Sequence, residues 1–395
     1  MAELARGWPL GARRDAAGAW SPARPGWLVD AAATWLASRL ALLALLLFAA
    51  NLGGFWAHTP AAYINRWDTE WYMRIASTGY ATEQSANFFP LLPMLMAGAA
   101  RLLTLGAPPS PGQLLAAGLV ISNLGALAAF CALAALVSRE ESASVASTAV
   151  RLLAASPFAF FFAAAYTEGL FLACAIIAFL AARSGRWWWA VPAGLAAGLL
   201  RPTALLLVVP LAWEAWRRAG RHLGKGSEWP SKLAAVAAPL AGIGLYSAYL
   251  WLRFGDPLLF VHTQGRYWHH VLWPFWQTIV TAAHNVSQPG AGLAALDLGF
   301  ALGFLALAIV MVGRLPFACV LYTAGLVLAV LSSPTPREGD IIHSTGRYLL
   351  AAFPAFWLVA RSVAVRPRLE YALLAMALML QAGLWVAFLL GGPIY

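Results

Sequence analysis

Two carboxylates stand one residue apart in the aromatic stretch 66–72 (Arg-Trp-Asp-Thr-Glu-Trp-Tyr), which follows the first long apolar run of the chain. An ionised carboxylate beside a bilayer is costly unless it has a partner or a function. Asp68 and Glu70 therefore indicate a site at the membrane surface, where a carboxylate can take the proton of an incoming hydroxyl. The alternative is a solvated loop whose tryptophans only anchor it in the interface.

The composition excludes a soluble globular protein, because 61% of the residues are apolar and only 11% are charged, against roughly 25% charged in soluble domains. Apolar runs long enough to cross a bilayer recur along the chain, which predicts an all-α, polytopic membrane protein. The net charge of +10 does not indicate nucleic-acid binding, since the basic clusters flank apolar runs as cytoplasmic loops do. Cys131, Cys174 and Cys319 lie inside apolar runs without the spacing of a metal site or disulfide framework.

The apolar runs predict about eleven transmembrane helices in a single domain, residues 30–395, after a cytoplasmic tail, residues 1–29. Because basic residues precede the first run, we interpret it as an uncleaved signal anchor with the N-terminus in the cytoplasm. Eleven crossings then leave the C-terminus extracytoplasmic. The first extracytoplasmic loop, 53–112, is expected to carry juxtamembrane helices, and a second long loop covers 253–290. The predicted spans are approximately 30–52, 114–137, 144–161, 170–182, 187–200, 203–216, 233–251, 293–312, 315–331, 348–360 and 371–390.

Charge decides whether the apolar run 88–105 crosses the membrane. If it crossed, every later basic cluster would lie outside, whereas a helix at the outer face leaves all of them inside. The formal charge is then +10 inside and zero outside. The fifth and sixth spans have only about 14 residues each, or about 21 Å of helix, which is too short for a hydrocarbon core of about 30 Å. Arg201 at their tip is therefore expected in the wall of a water-filled cavity.

This topology gathers carboxylates and arginines from remote loops on the outer face. Such a set suits a lipid-linked anion, because guanidinium groups hold a phosphate and a carboxylate accepts a proton. Glu70 could instead face water or pair with Arg66, Glu168 could stabilise the start of a helix, and Arg347 could be a snorkelling arginine. Loop histidines are often only hydrogen-bonded. The candidates are Asp68, Glu70, Glu168, Arg201, His262, Gln264, Arg266, Trp268, Asp340, His343, Arg347 and Tyr348.

Several of these residues belong to short motifs spread over about residues 60–360. The motifs are Trp67-Asp68 followed by Tyr72, Ile75-Ala76 and Gly79-Tyr80; Phe88-Phe89-Pro90-Leu91; Ser156-Pro157 followed by Tyr166-Thr167-Glu168; Arg201-Pro202-Thr203; and Gly346-Arg347-Tyr348 followed by Phe353-Pro354. In this order they resemble the PIG-V family, which comprises the second mannosyltransferase of GPI-anchor assembly and its prokaryotic relatives. Any one motif is weak evidence, and their order makes the match specific.

The resemblance implies a GT-C glycosyltransferase, an integral membrane enzyme that transfers a sugar from a polyprenyl-phosphate donor with inversion of configuration. It implies that Asp68 is the general base and that Glu70 supports it, as the acidic motif of the first external loop. The implied phosphate-binding residues are Arg201, Arg347, Arg266 and His343. The implied substrate contacts are Trp67, Tyr166, Glu168, His262, Gln264 and Tyr348. Related enzymes with monophosphate donors need no metal, so neither a metal nor a cofactor is expected.

The resemblance leaves the substrates open. The expected partners are a dolichyl- or polyprenyl-phosphate mannose, a glycolipid acceptor and membrane lipid, without nucleic acid. The composition, with many Ala, Leu and Arg residues and few lysines, resembles that of proteins from a high-GC bacterium. We therefore expect the protein in the plasma membrane, with its active site on the outer face. Bacteria generally make no GPI anchors, so a phosphoinositol mannoside, another glycolipid or a cell-wall glycan remain alternatives. Another sugar, a protein acceptor, or a lipid or solute transporter are further alternatives, although the chain shows no internal repeat typical of transporters.

The predicted topology is testable at position 110. In a Ser110→Cys variant, a membrane-impermeant thiol reagent added outside the cell should label the new cysteine, because the segment 88–105 does not cross. Cys131, Cys174 and Cys319 lie in apolar runs, and the unsubstituted protein measures their background. Protection from outside, with labelling only after the cytoplasm is exposed, would contradict the prediction.

Overall fold

The structure, a computed structural model, describes residues 13–14, 20–21, 26–52, 60–219, 228–288, 291–337, 339–392 and 394. Within these ranges the chain is helical, apart from one antiparallel pair of two-residue strands, β1 Arg13–Arg14 and β2 Trp20–Ser21. The predicted all-helical architecture is confirmed. Most of the predicted cytoplasmic tail, 1–29, and part of the first loop, 53–59, lie outside the described residues.

The helices follow one another with short connections. The first group is α1 Gly26–Leu52, α2 Pro60–Ile64, α3 Asp68–Thr78, α4 Leu91–Leu103, α5 Pro111–Val137, α6 Ala143–Ala155 and α7 Glu168–Arg183. The second group is α8 Trp187–Leu200, α9 Val208–Ala219, α10 Trp229–Phe254, α11 Leu259–Trp268, α12 Phe275–Asn285, α13 Ala294–Val310, α14 Phe317–Leu331, α15 Thr345–Tyr348, α16 Phe353–Val363 and α17 Pro367–Leu389. Short 3₁₀ turns cover Glu83–Asn87, Ala159–Phe162, Pro202–Leu207 and Leu349–Ala351.

A helix overlaps each of the eleven predicted spans. Among the described helices, four (α1, α5, α10 and α17) are long and apolar enough to cross a membrane. Several others, including α8, α13 and α14, are apolar but have only 10–17 residues. The chain is therefore an integral membrane protein, while the number of crossings and the side of each terminus stay predictions.

The apolar run 88–105 forms the short helix α4, which has 13 residues and is about 20 Å long. It packs against α5, and the buried Met96 lies so close to Gly118 that an added Cβ there would meet Met96 Cε at 2.9 Å. Helix α5 begins with a capping box, in which Ser110 and Gln113 each accept a hydrogen bond from the other's backbone N–H. This cap satisfies two N–H groups of the first turn, so α5 starts directly after the loop.

Glycines allow the close approach of α8 and α10. A Cβ added at Gly198 would lie 2.2 Å from the Pro239 carbonyl oxygen, and one added at Gly242 would lie 2.3 Å from the Leu195 carbonyl oxygen. Helix pairs in membranes associate through such small residues, because lipid provides little hydrophobic driving force between helices. The contact holds α8 in place, and Arg201 follows directly after its last residue, Leu200.

The segment 156–167 between α6 and α7 is irregular and largely buried. In a membrane protein, buried backbone without helical hydrogen bonds is tolerated only when other protein groups satisfy its N–H and C=O groups. Side chains from two distant helices do so. Gln381 of α17 donates to the Ser156 carbonyl at 2.7 Å, and Ser122 of α5 donates to the Tyr166 carbonyl at 2.8 Å. The segment is thus held at both ends.

Substitution of α10 glycines tests the α8–α10 contact. Gly242→Ala should lower stability by about 1–3 kcal/mol, the usual cost of overpacking, because its Cβ has no space. Gly244, on the same helix, has nothing within 4 Å of an added Cβ. Gly244→Ala should therefore leave stability unchanged or raise it by up to about 1 kcal/mol. Thermal unfolding in detergent measures both variants, and equal effects would refute the close contact.

Candidate functional site

An ion-paired cluster joins three remote parts of the chain. Arg347 of α15 donates through Nε to Glu168 Oε1 at 2.5 Å and through Nη2 to Asp68 Oδ2. Asp68 is the first residue of α3 and Glu168 the first residue of α7. Both carboxylates lie near the positive end of a helix dipole, which attracts negative charge.

Arg201 completes this cluster, because its Nη1 donates to the same Glu168 Oε1 at 3.1 Å. Its backbone is extended, at the break between α8 and the 3₁₀ turn 202–207. Two guanidinium groups and two carboxylates thus form a set with no formal net charge. The second oxygen of Glu168, Oε2, is buried and has no hydrogen-bond partner among the described residues.

Burial differs among the four side chains. The exposed fraction of the side chain is 2% for Glu168, 5% for Arg347, 12% for Arg201 and 24% for Asp68. A buried guanidinium needs partners that compensate for lost hydration. Burial lowers the pKa of Arg347, but Asp68 and Glu168 outweigh burial and raise this pKa well above its ordinary value. Arg347 therefore stays charged, and Asp68 is the member of the cluster most open to an incoming molecule.

Aromatic rings surround the two guanidinium groups. The Arg347 guanidinium carbon lies 4.6 Å from the Tyr166 ring centroid and 5.0 Å from that of Phe161. The Arg201 guanidinium carbon lies 5.3 Å from the centroid of Tyr348. Ring faces attract cations, more strongly where water is excluded. The rings thus hold the arginines while leaving their N–H groups to the carboxylates.

Close helix packing accounts for the position of Glu168. At the next residue, Gly169, an added Cβ would lie 2.8 Å from the backbone nitrogen of Ala126. The start of α7 is thereby pressed against α5, which buries Glu168.

Tyr72, one turn after Asp68 on α3, lies against the same carboxylates. Burial is the main cause that raises its pKa, and the charges of Asp68 and Glu168 raise it further. The Tyr72 hydroxyl is therefore a neutral hydrogen-bonding group.

The structure does not bring Glu70 into this cluster. Residues two apart on a helix point about 200° apart, at about 100° per residue, so Glu70 faces away from Asp68 on α3. It lines a separate open groove of about 320 Å³ together with Asn65, Arg74 and Ser77. The catalytic role of Glu70 stays a prediction, and the geometry separates it from Asp68.

Several other predicted site residues contact groups outside the cluster. Arg266 pairs with Glu83 at 2.5 Å, where both side chains are about half exposed. His262 pairs with Asp256 at 2.6 Å, and this hydrogen bond is the main cause that lowers the pKa of Asp256. His343 Nδ1 lies 3.0 Å from Thr335 Oγ1, and the Gln264 backbone carbonyl accepts a hydrogen bond from the His270 backbone N–H. Trp67 is 37% exposed.

The predicted residues that do meet are Asp68, Tyr166, Glu168, Arg201, Arg347 and Tyr348. Phe161 and Phe171, which also contact the arginines, were not predicted as site residues. Both lie in apolar sequence, and nothing in their spacing distinguishes a ring that covers a cation from a ring of the core. The proximity of Phe161 to Tyr166 in the motif was the available signal.

The fold and cluster define an integral membrane protein with a polar, ion-paired site at the ends of apolar helices. The family model Mannosyltransferase (PIG-V) matches residues 27–226, which is half of the chain. The chain belongs to this family, and the predicted resemblance is confirmed. The matched region contains Asp68, Glu168 and Arg201, while Arg347 lies beyond it. No curated protein sequence matches the chain significantly.

Among solved structures, the chain is similar to the oligosaccharyltransferase of Archaeoglobus fulgidus. Against its complex with Zn and sulfate the identity is 16% and the TM-score 0.40, with 78% of this chain and 45% of that chain covered. Against the apo form the identity is 14% and the TM-score 0.41, with 89% of this chain and 56% of that chain covered. Against the complex with an inhibitory peptide and a dolichol-phosphate the identity is 15% and the TM-score 0.36, with 88% of this chain and 55% of that chain covered. The chain thus spans about half the length of these proteins.

Two arginine substitutions separate the buried cluster from the exposed pair. Arg347→Met removes a partner of two carboxylates, one of them buried, and should cost about 3–5 kcal/mol of stability. Arg266→Met breaks the exposed pair with Glu83 and should cost about 0–1 kcal/mol. Thermal or denaturant unfolding in detergent measures the difference. Equal costs would mean that the Arg347 contacts do not stabilise the fold.

Proposed function

We propose that this protein transfers mannose from a polyprenyl- or dolichyl-phosphate donor to a hydroxyl of a glycolipid acceptor, on the extracytoplasmic face of the membrane. Membership of the mannosyltransferase family supports the class of reaction. The observation that carries the proposal is the contact of Asp68 with Arg347, which are 279 residues apart in the sequence. It unites a carboxylate suited to proton transfer with a cation suited to phosphate.

The proposed reaction needs one base and one site for the leaving group. The acceptor hydroxyl loses its proton to the Asp68 carboxylate while its oxygen attacks C1 of the donor sugar. The bond between C1 and the phosphate oxygen breaks, and the lipid phosphate leaves with the electron pair. Attack from the face opposite the phosphate inverts the configuration at C1. General-base catalysis of this kind contributes about 10²–10⁴-fold to the rate.

Arg347 couples donor binding to release of the base in this proposal. Its Nη2 group donates a hydrogen bond to Asp68 Oδ2. A donor phosphate competes for that group and, once bound to Arg347 and Arg201, leaves Asp68 to accept a proton. Fixed guanidinium groups in a site that excludes water also stabilise the charge that develops on the leaving phosphate.

Glu168 is proposed to orient both arginines and to bind the sugar. Its Oε1 accepts from Arg201 and Arg347. Its buried Oε2 has no partner among the described residues, and an unpaired buried acceptor is costly. A hydroxyl group of the donor sugar would satisfy it.

The Asp68→Asn variant tests the proposal. Purified protein with polyprenyl-phosphate mannose and a lipid-extract acceptor should form a mannosylated lipid, and Asp68→Asn should lower kcat by about 10²–10⁴-fold. The matched control is Glu83→Gln, which neutralises an exposed carboxylate of the same loop and should leave kcat unchanged. Full turnover by Asp68→Asn would exclude Asp68 as the base. Activity only with polyprenyl-phosphate glucose would exclude mannose as the sugar.

A further inference from the structure

Asp297 is a carboxylate buried in the apolar helix α13, where it is 2% exposed. A carboxylate in such a position is costly unless it has partners. Its Oδ1 accepts a hydrogen bond from the Gly346 N–H at 3.0 Å. Gly346 directly precedes Arg347, so the buried carboxylate holds the backbone from which the central cation of the site extends.

Gly346 is fixed from its other side by an aromatic ring. A Cβ added at Gly346 would lie 2.0 Å from Phe158 Cε2, so a glycine is required there. The Phe158 ring in turn makes an edge contact with Phe300, at a centroid distance of 5.3 Å. Phe300 lies three residues after Asp297, on the same face of α13. One helix therefore supports this turn twice, through a hydrogen bond and through an edge-to-face pair of rings.

The residues before Gly346 form a tight, buried turn. Ser344 has a positive φ of 66°, a conformation that non-glycine residues rarely adopt. The Thr345 hydroxyl is fully buried and donates to the Ile342 carbonyl at 2.6 Å. The carboxyl group of Asp340 also lies beside Asp297. Strained backbone persists only where the surroundings hold it in place, and Asp297 is one of the groups that do so here.

We infer that Asp297 is a positioning residue, which orients Arg347 through the Gly346 N–H without touching the substrate. This inference rests on the proposed function. Arg347 contacts Asp68 and Glu168, and in the proposed reaction it must also reach the donor phosphate. A shift of about 1 Å in such a group can cost about 10²-fold in rate. The acceptor oxygen of residue 297, rather than its charge, supplies the effect.

A conservative and a disruptive substitution separate this role from general stability. Asp297→Asn keeps an oxygen that accepts from the Gly346 N–H and should keep kcat/KM for the donor within about threefold of the unsubstituted protein. Asp297→Leu replaces the carboxylate with a larger apolar side chain that has no acceptor, and should lower kcat/KM by about 10–100-fold. Hydrogen exchange, which needs no activity, should show faster exchange in peptides covering 341–349 for Asp297→Leu alone.

The control for general destabilisation is Glu370→Gln. Glu370 is equally buried and pairs with Arg151 and Thr148, away from the cluster. This variant should lower thermal stability without faster exchange in 341–349. If Asp297→Leu does not fold, Phe300→Leu loosens the same turn through Phe158 and should lower kcat/KM in the same direction.

The outcomes are distinct. If Asp297→Asn is as impaired as Asp297→Leu, or if exchange in 341–349 is unchanged in Asp297→Leu, the positioning role is refuted. If the unsubstituted protein transfers no sugar from any polyprenyl-phosphate donor, the proposed function fails, and hydrogen exchange still decides whether Asp297 holds the Arg347 turn.

Discussion

The structure depends on the cost of burying one guanidinium group. Arg347 is almost completely withdrawn from solvent, and a charge in that position is stable only with close, well-aligned counter-charges. Its partners come from the first residues of two helices far away in the sequence. The starts of α3 and α7 and the turn before α16 must therefore meet at one point. The function proposed for the site uses the same convergence, because a ligand phosphate can replace a carboxylate as partner.

Much of this arrangement was predictable, because it follows from topology. Apolar runs identify helices reliably when the solvent is lipid, and a helix overlaps every predicted span. The charge balance across the membrane then assigned Asp68, Glu168, Arg201 and Arg347 to the same face. The structure brings these four side chains into one cluster. Charged side chains predicted on the same face are expected to pair with one another, and this expectation accounts for their association.

The parts that were not predicted depend on orientation within an element. Asp68 and Glu70 were interpreted as one acidic pair, but residues 68–78 form a helix, and the helical rotation separates them. Arg266 and His262 are predicted on the same face, yet in the structure they pair with the exposed Glu83 and with Asp256. Asp297 lies in an apolar run, and the hydropathy of that run indicates a transmembrane span without indicating a site residue. Sequence patterns locate a residue along the membrane normal, whereas its direction around a helix axis depends on packing.

The side chains that satisfy the segment 156–167 have a consequence for biosynthesis. Gln381 donates to a carbonyl of Ser156, 225 residues earlier in the chain, and Arg347 binds Glu168, 179 residues earlier. A nascent chain that has been inserted only as far as α7 lacks both partners. Its irregular backbone must stay hydrated, or be shielded by the insertion machinery, until the ribosome has delivered α17. Glu168 must likewise wait for Arg201 and then Arg347. The protein thus acquires its polar centre late in synthesis, when the surrounding helices are already in the membrane.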